Sequence, residues 1–114
     1  MTDVSFLKSF ADAWNAHDLD AIMEHMAEEG VFISSRGSRF EGSEAVHQAF
    51  AAVLNAYPDA RFESGVHFAS GSRGVSEWMF RGTDVEDGTV TEQQGCDLFT
   101  FADGKILIKD SYLK

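Results

Sequence analysis

Apolar residues recur at three- and four-residue intervals in the first half of the chain and at alternate positions in the second, so helices are expected first and strands afterwards. Leu7, Phe10, Ala11 and Trp14 make one stripe of a first helix that Thr2 can cap and that runs to about Asn15. After a break at Ala16-His17, Asp18 can cap a short second helix carrying Leu19, Ile22, Met23 and Met26, and Gly30 closes the region. Val31 to Ser34 alternates like a strand, and the turn-rich SRGSRFEG after it can hold a short hairpin. Ser43 opens the most regular helix, with Val46, Ala49, Phe50, Val53, Leu54 and Tyr57 on one face before Pro58 stops it. Beyond Pro58 the period falls to two. Arg61 to Ser70, Gly74 to Thr83, Thr89 to Ala102 and Lys105 to Leu113 then predict an antiparallel meander joined at Gly-rich turns. Helices followed by hairpin-linked strands specify an α+β fold, with three N-terminal helices on one face of a bent, mostly antiparallel sheet.

Composition narrows the function classes. A chain of 114 residues without linker or repeat is expected to be one domain, residues 1–114. An apolar fraction of 44%, with ten Phe and two Trp, is enough to bury a core. Ten Phe are many to hide in so small a body, so some are expected in a cavity or a subunit contact, and a homodimer is expected. The formal charge of -10, from 19 acidic and 9 basic residues, argues against nucleic acid and anionic membrane as partners. No apolar stretch approaches the roughly 18 residues that span a bilayer, and MTDVSFLKSF lacks the basic start and long apolar run of a signal peptide, so a cytoplasmic location is expected. Cys96 is alone, which excludes an internal disulfide.

Three segments, WNAHDLDAIMEHMAEEGVF, FEGSEAVHQAF and GCDLFTFADGKI, resemble the nuclear transport factor two-like superfamily, in its SnoaL-like and ketosteroid isomerase-like branch. The helix break at Asp18-Leu19-Asp20, Gly42 before the third helix and the closing strand pair fall in the family's order across nearly the whole chain. The resemblance implies a cone-shaped fold whose strongly curved sheet encloses a pocket. Ketosteroid isomerase uses an Asp base and an oxyanion hole of a Tyr and a protonated Asp. By the same comparison the Tyr falls at Phe10, the base at Ser34 and the oxyanion carboxyl at Asp97, so two of the three groups are missing. That mechanism is excluded, because the missing base is the group that abstracts the proton. The comparison also brings Phe10, Trp14, Phe32, Ser34, Phe50, Leu54, Asp97 and Phe99 to the cavity wall, a lining suited to a small, flat, mostly apolar ligand.

The last hairpin supports an inference from its residues alone. A two-residue loop, Asp103-Gly104, sets Asp97 opposite Asp110; a three-residue loop, Ala102-Asp103-Gly104, sets it opposite Lys109 and Phe99 opposite Leu107. Like charges across strands destabilise, so the three-residue loop and an Asp97-Lys109 pair are expected. A nearby ammonium favours the carboxylate, which makes Asp97 a candidate base or ligand anchor, with a plain structural ion pair as the alternative. His67, expected to share a strand face with Glu63, is a further acid or base candidate. Trp78 and Phe80 share a face and pack either in the cavity or across a dimer. His17, His25 and His47 have no partner at metal-ligand spacing, Cys96 points away from Asp97, and the glycines form no phosphate cradle, so neither metal nor cofactor is expected. Arg81 with Asp97 supplies only part of an epoxide hydrolase arrangement.

These residues leave three readings. One is a cofactor-independent isomerase, cyclase or lyase acting on a small carbonyl compound, using Asp97, Lys109 and His67. Another is a non-catalytic binding domain for an apolar metabolite, and the third a structural dimerisation domain.

Overall fold

A computed structural model describes residues 2–114. In chain order the elements are α1 (Val4–Asn15), α2 (Leu19–Glu24), β1 (Met26–Ile33), β2 (Arg39–Glu41), α3 (Ser43–Ala56), β3 (Arg61–Ser70), β4 (Arg73–Thr83), β5 (Val90–Ala102) and β6 (Lys105–Leu113). The strands form one curved sheet in the order β2-β1-β6-β5-β4-β3. Only the β1-β6 contact is parallel, and the remaining pairs are antiparallel. The helices cover the inner face, giving the expected α+β cone. The longest helix, α3, has 14 residues, and no helix among those described is long and apolar enough to cross a membrane.

Local chemistry moves several element ends from their expected positions. Asp3, not Thr2, caps α1, its carboxylate accepting from the Phe6 N–H at 3.0 Å. A carboxylate one residue nearer the helix satisfies the orphan donors without the entropy of ordering the terminus. Gly42 rather than Ser43 is the cap residue of α3, with φ at 88°, a left-handed conformation that glycine adopts without a Cβ clash. The first strand starts at Met26 and passes through Gly30, so the tail of the expected second helix is extended chain. Ser34 lies beyond the strand end, in the turn to β2, where its hydroxyl accepts from the Ser38 N–H at 3.1 Å.

The end of α1 is fastened to the sheet. His17 takes a left-handed φ of 56°, its N–H donates to the Trp14 carbonyl at 3.0 Å, and the Asp18 N–H reaches the Ala13 carbonyl at 3.1 Å. The His17 imidazole meets the Ala60 carbonyl at 2.7 Å. Asn15 donates to the Phe62 carbonyl at 3.0 Å and accepts from the Phe62 N–H at 2.7 Å, as a neighbouring strand would. Helix α1 is thereby clamped across the edge strand β3. His25, half-buried rather than exposed, joins the two first helices: its nitrogens meet the Ala21 carbonyl and Ser9 Oγ, and its ring packs on Phe6 and Phe10.

Neither expected register of the last hairpin is the observed one. The loop is the two-residue Asp103-Gly104, both residues with positive φ, and Ala102 pairs with Lys105. A bulge then inserts one residue into β6 between the Ile106 and Ile108 pairings, so Phe99 lies opposite Lys109, Leu98 opposite Asp110 and Asp97 opposite Ser111. A second bulge, in β3 between Glu63 and Val66, turns His67 to the inner face while Glu63 stays outside, paired with Arg81 at 2.8 Å. The expected His67-Glu63 face therefore does not exist.

Phe50 sits at the centre of the core with no exposed surface, its ring edge against Trp14 at 4.9 Å and tilted on Phe32 at 5.1 Å. Phe50→Ala removes a ring that the rigid sheet cannot collapse onto, and is expected to cost about 3–5 kcal/mol in urea unfolding.

Candidate functional site

One cross-strand row carries the polar groups of the inner face. His67 on β3 pairs with Ser76 on β4, Ser76 with Asp97 on β5, and Asp97 with Ser111 on β6. Because facing residues of an antiparallel sheet present side chains to the same side, these four stand in line. The neighbouring row runs Ala69, Gly74, Phe99, Lys109, Phe32 and Phe40 and is almost wholly apolar. Lys109 is thus a cation placed diagonally from Asp97 on an aromatic floor.

The Asp97 carboxylate is closely held. Oδ1 accepts from Ser111 Oγ at 2.5 Å and lies 3.2 Å from Lys109 Nζ, while Oδ2 accepts from the Trp78 indole Nε1 at 3.0 Å. Lys109 also donates to Ser111 Oγ at 3.0 Å. Its ammonium stands 4.6 Å from the Phe32 ring centre, 5.6 Å from Phe50 and 5.9 Å from Trp14, so the side of the cation away from Asp97 meets aromatic rings. Both side chains are nearly removed from water, at 7% exposure for Asp97 and 10% for Lys109. The expected ion pair is present, though on a diagonal rather than directly across. In so dry a pair the attraction must offset a desolvation penalty, and the extra donors on the carboxylate make that possible.

Trp78 reaches Asp97 because Gly95 faces it. A Cβ at Gly95 would stand 2.6 Å from the Trp78 ring and 2.4 Å from the Tyr112 carbonyl, so the indole lies on bare backbone. Phe80, on the same face, packs against Tyr57 and Phe62.

His67 shares the site. Its Nδ1 lies 2.7 Å from Ser76 Oγ, and Nε2 has no hydrogen-bond partner among the described residues. Burial pushes its pKa below the usual 6.5, with Asp12 opposing the shift and Lys8 adding to it, so the imidazole is neutral at neutral pH.

Between these groups and α1 lies a cavity of about 30 Å³, lined by Leu7, Phe10, Trp14, Phe62, His67, Ser76, Trp78, Asp97, Phe99 and Lys109 among others. That is room for about one or two water molecules. The structure therefore brings Asp97, Lys109, His67, Phe10, Trp14, Trp78 and Phe99 to one cavity. It leaves Phe32 and Phe50 packed under the Lys109 ammonium, Leu54 against the general core and Ser34 in its turn. Sequence reasoning missed Ser76 and Ser111. The signal was their alternation with Trp78 and Lys109, but it becomes readable only once both bulges are known. One further group is unmatched: the Trp14 Nε1, on a residue only 5% exposed, has no hydrogen-bond partner among those described. An unpaired buried donor costs about 1–3 kcal/mol.

The outer face holds different chemistry. A groove of about 640 Å³ runs past Glu63, Glu77, Arg81 and Cys96. Arg81 is engaged there by Glu63 and Glu92, so it cannot join Asp97 around a water molecule. Burial, followed by the charges of Asp97, Glu77 and Asp110, raises the Cys96 pKa and leaves the thiol protonated.

Comparison with known proteins agrees with this architecture. A proposed polyketide cyclase from Pseudomonas putida superposes with a TM-score of 0.93 at 21% identity, covering all of this chain and 92% of its own. A protein of ketosteroid isomerase-like fold from Catenulispora acidiphila, solved in complex with trimethylamine, gives 0.85 at 16% identity over 97% of this chain and 86% of its own. AclR, a proposed hydroxylase from Streptomyces galilaeus, gives 0.80 at 20% identity over 96% and 77%. At such identities the likeness establishes the fold alone. No curated protein sequence matches the chain. The sequence profile of the SnoaL-like domain matches residues 7–108, nearly the whole chain, and the chain belongs to that family.

Proposed function

We propose that this protein handles a small carbonyl compound in the interior of the cone and moves a proton on it without a cofactor. The observation that carries this reading is the in-register row His67-Ser76-Asp97-Ser111 along the wall of an otherwise aromatic cavity. A structural core of this size has no need of a histidine, a serine and an ion pair on one wall, since apolar residues of similar volume stabilise as well or better.

The roles divide by what each group has left to offer. Asp97 has three donors on about four lone-pair positions, so it suits a fixed anchor whose charge Lys109 balances. His67 has a neutral imidazole and an uncommitted Nε2, which suits proton abstraction next to a carbonyl in the tautomer whose Nδ1–H donates to Ser76 Oγ. The proton-transfer role that Asp97 held on sequence grounds therefore passes to His67. The relative solved with trimethylamine supports a small-molecule occupant, and the proposed polyketide cyclase supports a carbonyl substrate. The apolar lining of Leu7, Phe10, Phe62 and Phe99 supports a second reading, in which the same wall binds an apolar metabolite without turnover. Val66, Phe68 and Tyr112, 47%, 57% and 49% exposed, support a homodimer through the outer face of the sheet.

Deuterium incorporation at the α-carbon of cyclohexanone in D2O, followed by NMR, separates the two readings. Protein in catalytic amount should accelerate exchange, and His67→Gln should lower the rate by at least about 100-fold while the protein stays folded. Binding without faster exchange would leave the non-catalytic reading. The pH profile has a definite sign. A base whose pKa is lowered by burial is protonated only in more acidic solution than a free imidazole, so the acid limb of the rate profile should have its midpoint below pH 6.5.

Asp97→Asn leaves the Lys109 charge buried without its counterion and is expected to cost about 3–5 kcal/mol of stability, read from urea midpoints. Gly95→Ala would drive Trp78 off the carboxylate. It should lower stability by about 1–3 kcal/mol and shift the tryptophan emission, whereas Gly37→Ala, where an added Cβ meets nothing, should leave that emission unchanged.

A further inference from the structure

We infer that the Trp14 indole N–H is the donor that recognises the ligand, and that it selects a neutral carbonyl oxygen. The inference rests on the ligand-handling reading above and deepens it.

Apart from His67 Nε2, the proposed base, the other interior polar groups around this wall already have partners. Asn15 spends its amide on Phe62, His25 spends both nitrogens on Ala21 and Ser9, and Trp78, Ser76, Ser111 and Lys109 are bound within the polar row. Trp14 Nε1 alone is a buried side-chain atom without one among the described residues, on a residue that lines the cavity. Nor can the ring turn to find a partner. The locked end of α1 fixes its backbone, and Phe50 and Phe62 meet it edge-on at 4.9 and 5.6 Å. A rigid, donor-only group in that position asks for an acceptor brought in from outside.

The charges nearby decide which acceptor. Asp97 and Lys109 already balance, so a ligand carboxylate would enter a nearly dry cavity as an uncompensated charge close to Asp97. A ligand cation would meet the Lys109 ammonium, 5.9 Å from the Trp14 ring. A neutral carbonyl satisfies the indole without adding charge, and its apolar remainder suits Leu7, Phe10, Phe62 and Phe99. The class is a compact, mostly apolar ketone, its oxygen on α1 and its acidic C–H toward His67.

The test is a pair of isosteric probes, cyclohexanone and methylenecyclohexane, titrated into protein with 15N-labelled indoles. The two tryptophans give two indole signals, which Trp14→Phe and Trp78→Phe assign. Both probes should perturb the site, but only the ketone should move the Trp14 indole proton downfield. In Trp14→Phe the ratio of ketone to alkene affinity should drop roughly tenfold, the effect of one neutral hydrogen bond. Should that variant not fold, the wild-type titration still decides. Binding of both probes with no ketone-specific shift would overturn the inference and leave the pocket reading intact. Failure of both probes to bind would overturn the inference and the pocket reading together.

Discussion

Asp97 and Lys109 have been drawn out of water together, and the inner face of the sheet is arranged around keeping them there. A carboxylate and an ammonium in a dry interior are tolerated only with near-complete hydrogen bonding, and each requirement is met by a different element. Ser111 on β6 bridges the pair, Trp78 on β4 caps the second carboxylate oxygen, and rings from α1, α3 and β1 close over the ammonium. Sheet order therefore matters more than helix propensity here. The pair joins β5 to β6, Trp78 brings in β4, and the parallel β1-β6 contact sets Phe32 beside Lys109. A wall of this kind is stiff, so whatever admits a ligand is better sought away from the central strands.

The two bulges convert an ordinary meander into a site. Without the extra residue in β3, His67 would point outward, and Val66 and Phe68 would both turn inside. Without the one in β6, the two-residue loop would bring Asp97 opposite Asp110, two like charges face to face. The bulge lets the protein keep the tight Asp103-Gly104 turn and still set Asp97 opposite a serine. The electrostatic argument for rejecting the Asp97-Asp110 register was sound; the assumption that only loop length could avoid it was not.

This explains how much was legible from residues alone. Elements with a strong period, such as α3 with its Val46, Phe50 and Val53 stripe or β5 and β6 around their turn, could be read directly because burial imposes the period. Asp97 and Lys109 could be joined because opposite charges on adjacent strands have few other ways to be buried. His67 could be named, but its face could not, since Gly65 marks a bulge no more clearly than Gly74, Gly82 and Gly95, which pair with β5 or β4 without a register shift. Nor could the degree of filling be foreseen. Whether Phe32 and Phe50 line a space or occupy it depends on inter-element distances of an ångström or so, and the hydrophobic pattern is the same in either case.

The glycines of the strands, scattered as a sequence motif, become orderly once the rings are in place. A Cβ at Gly65 would meet the His67 imidazole at 3.1 Å, one at Gly74 the Phe101 ring at 2.7 Å, one at Gly82 the Tyr57 and Phe80 rings at 2.9 and 3.0 Å, and one at Gly95 the Trp78 ring at 2.6 Å. These residues do not open turns or cradle phosphate; they are the places where a curved sheet receives a ring lying on it. Glycine weakens a strand by its entropy and by leaving no side chain to pack. That cost is offset here because the neighbouring ring covers the bare backbone. Two of the five rings so received, His67 and Trp78, are the ones that meet the polar row. The positions of Gly65 and Gly95 are thus part of the site as much as the residues that bear its chemistry.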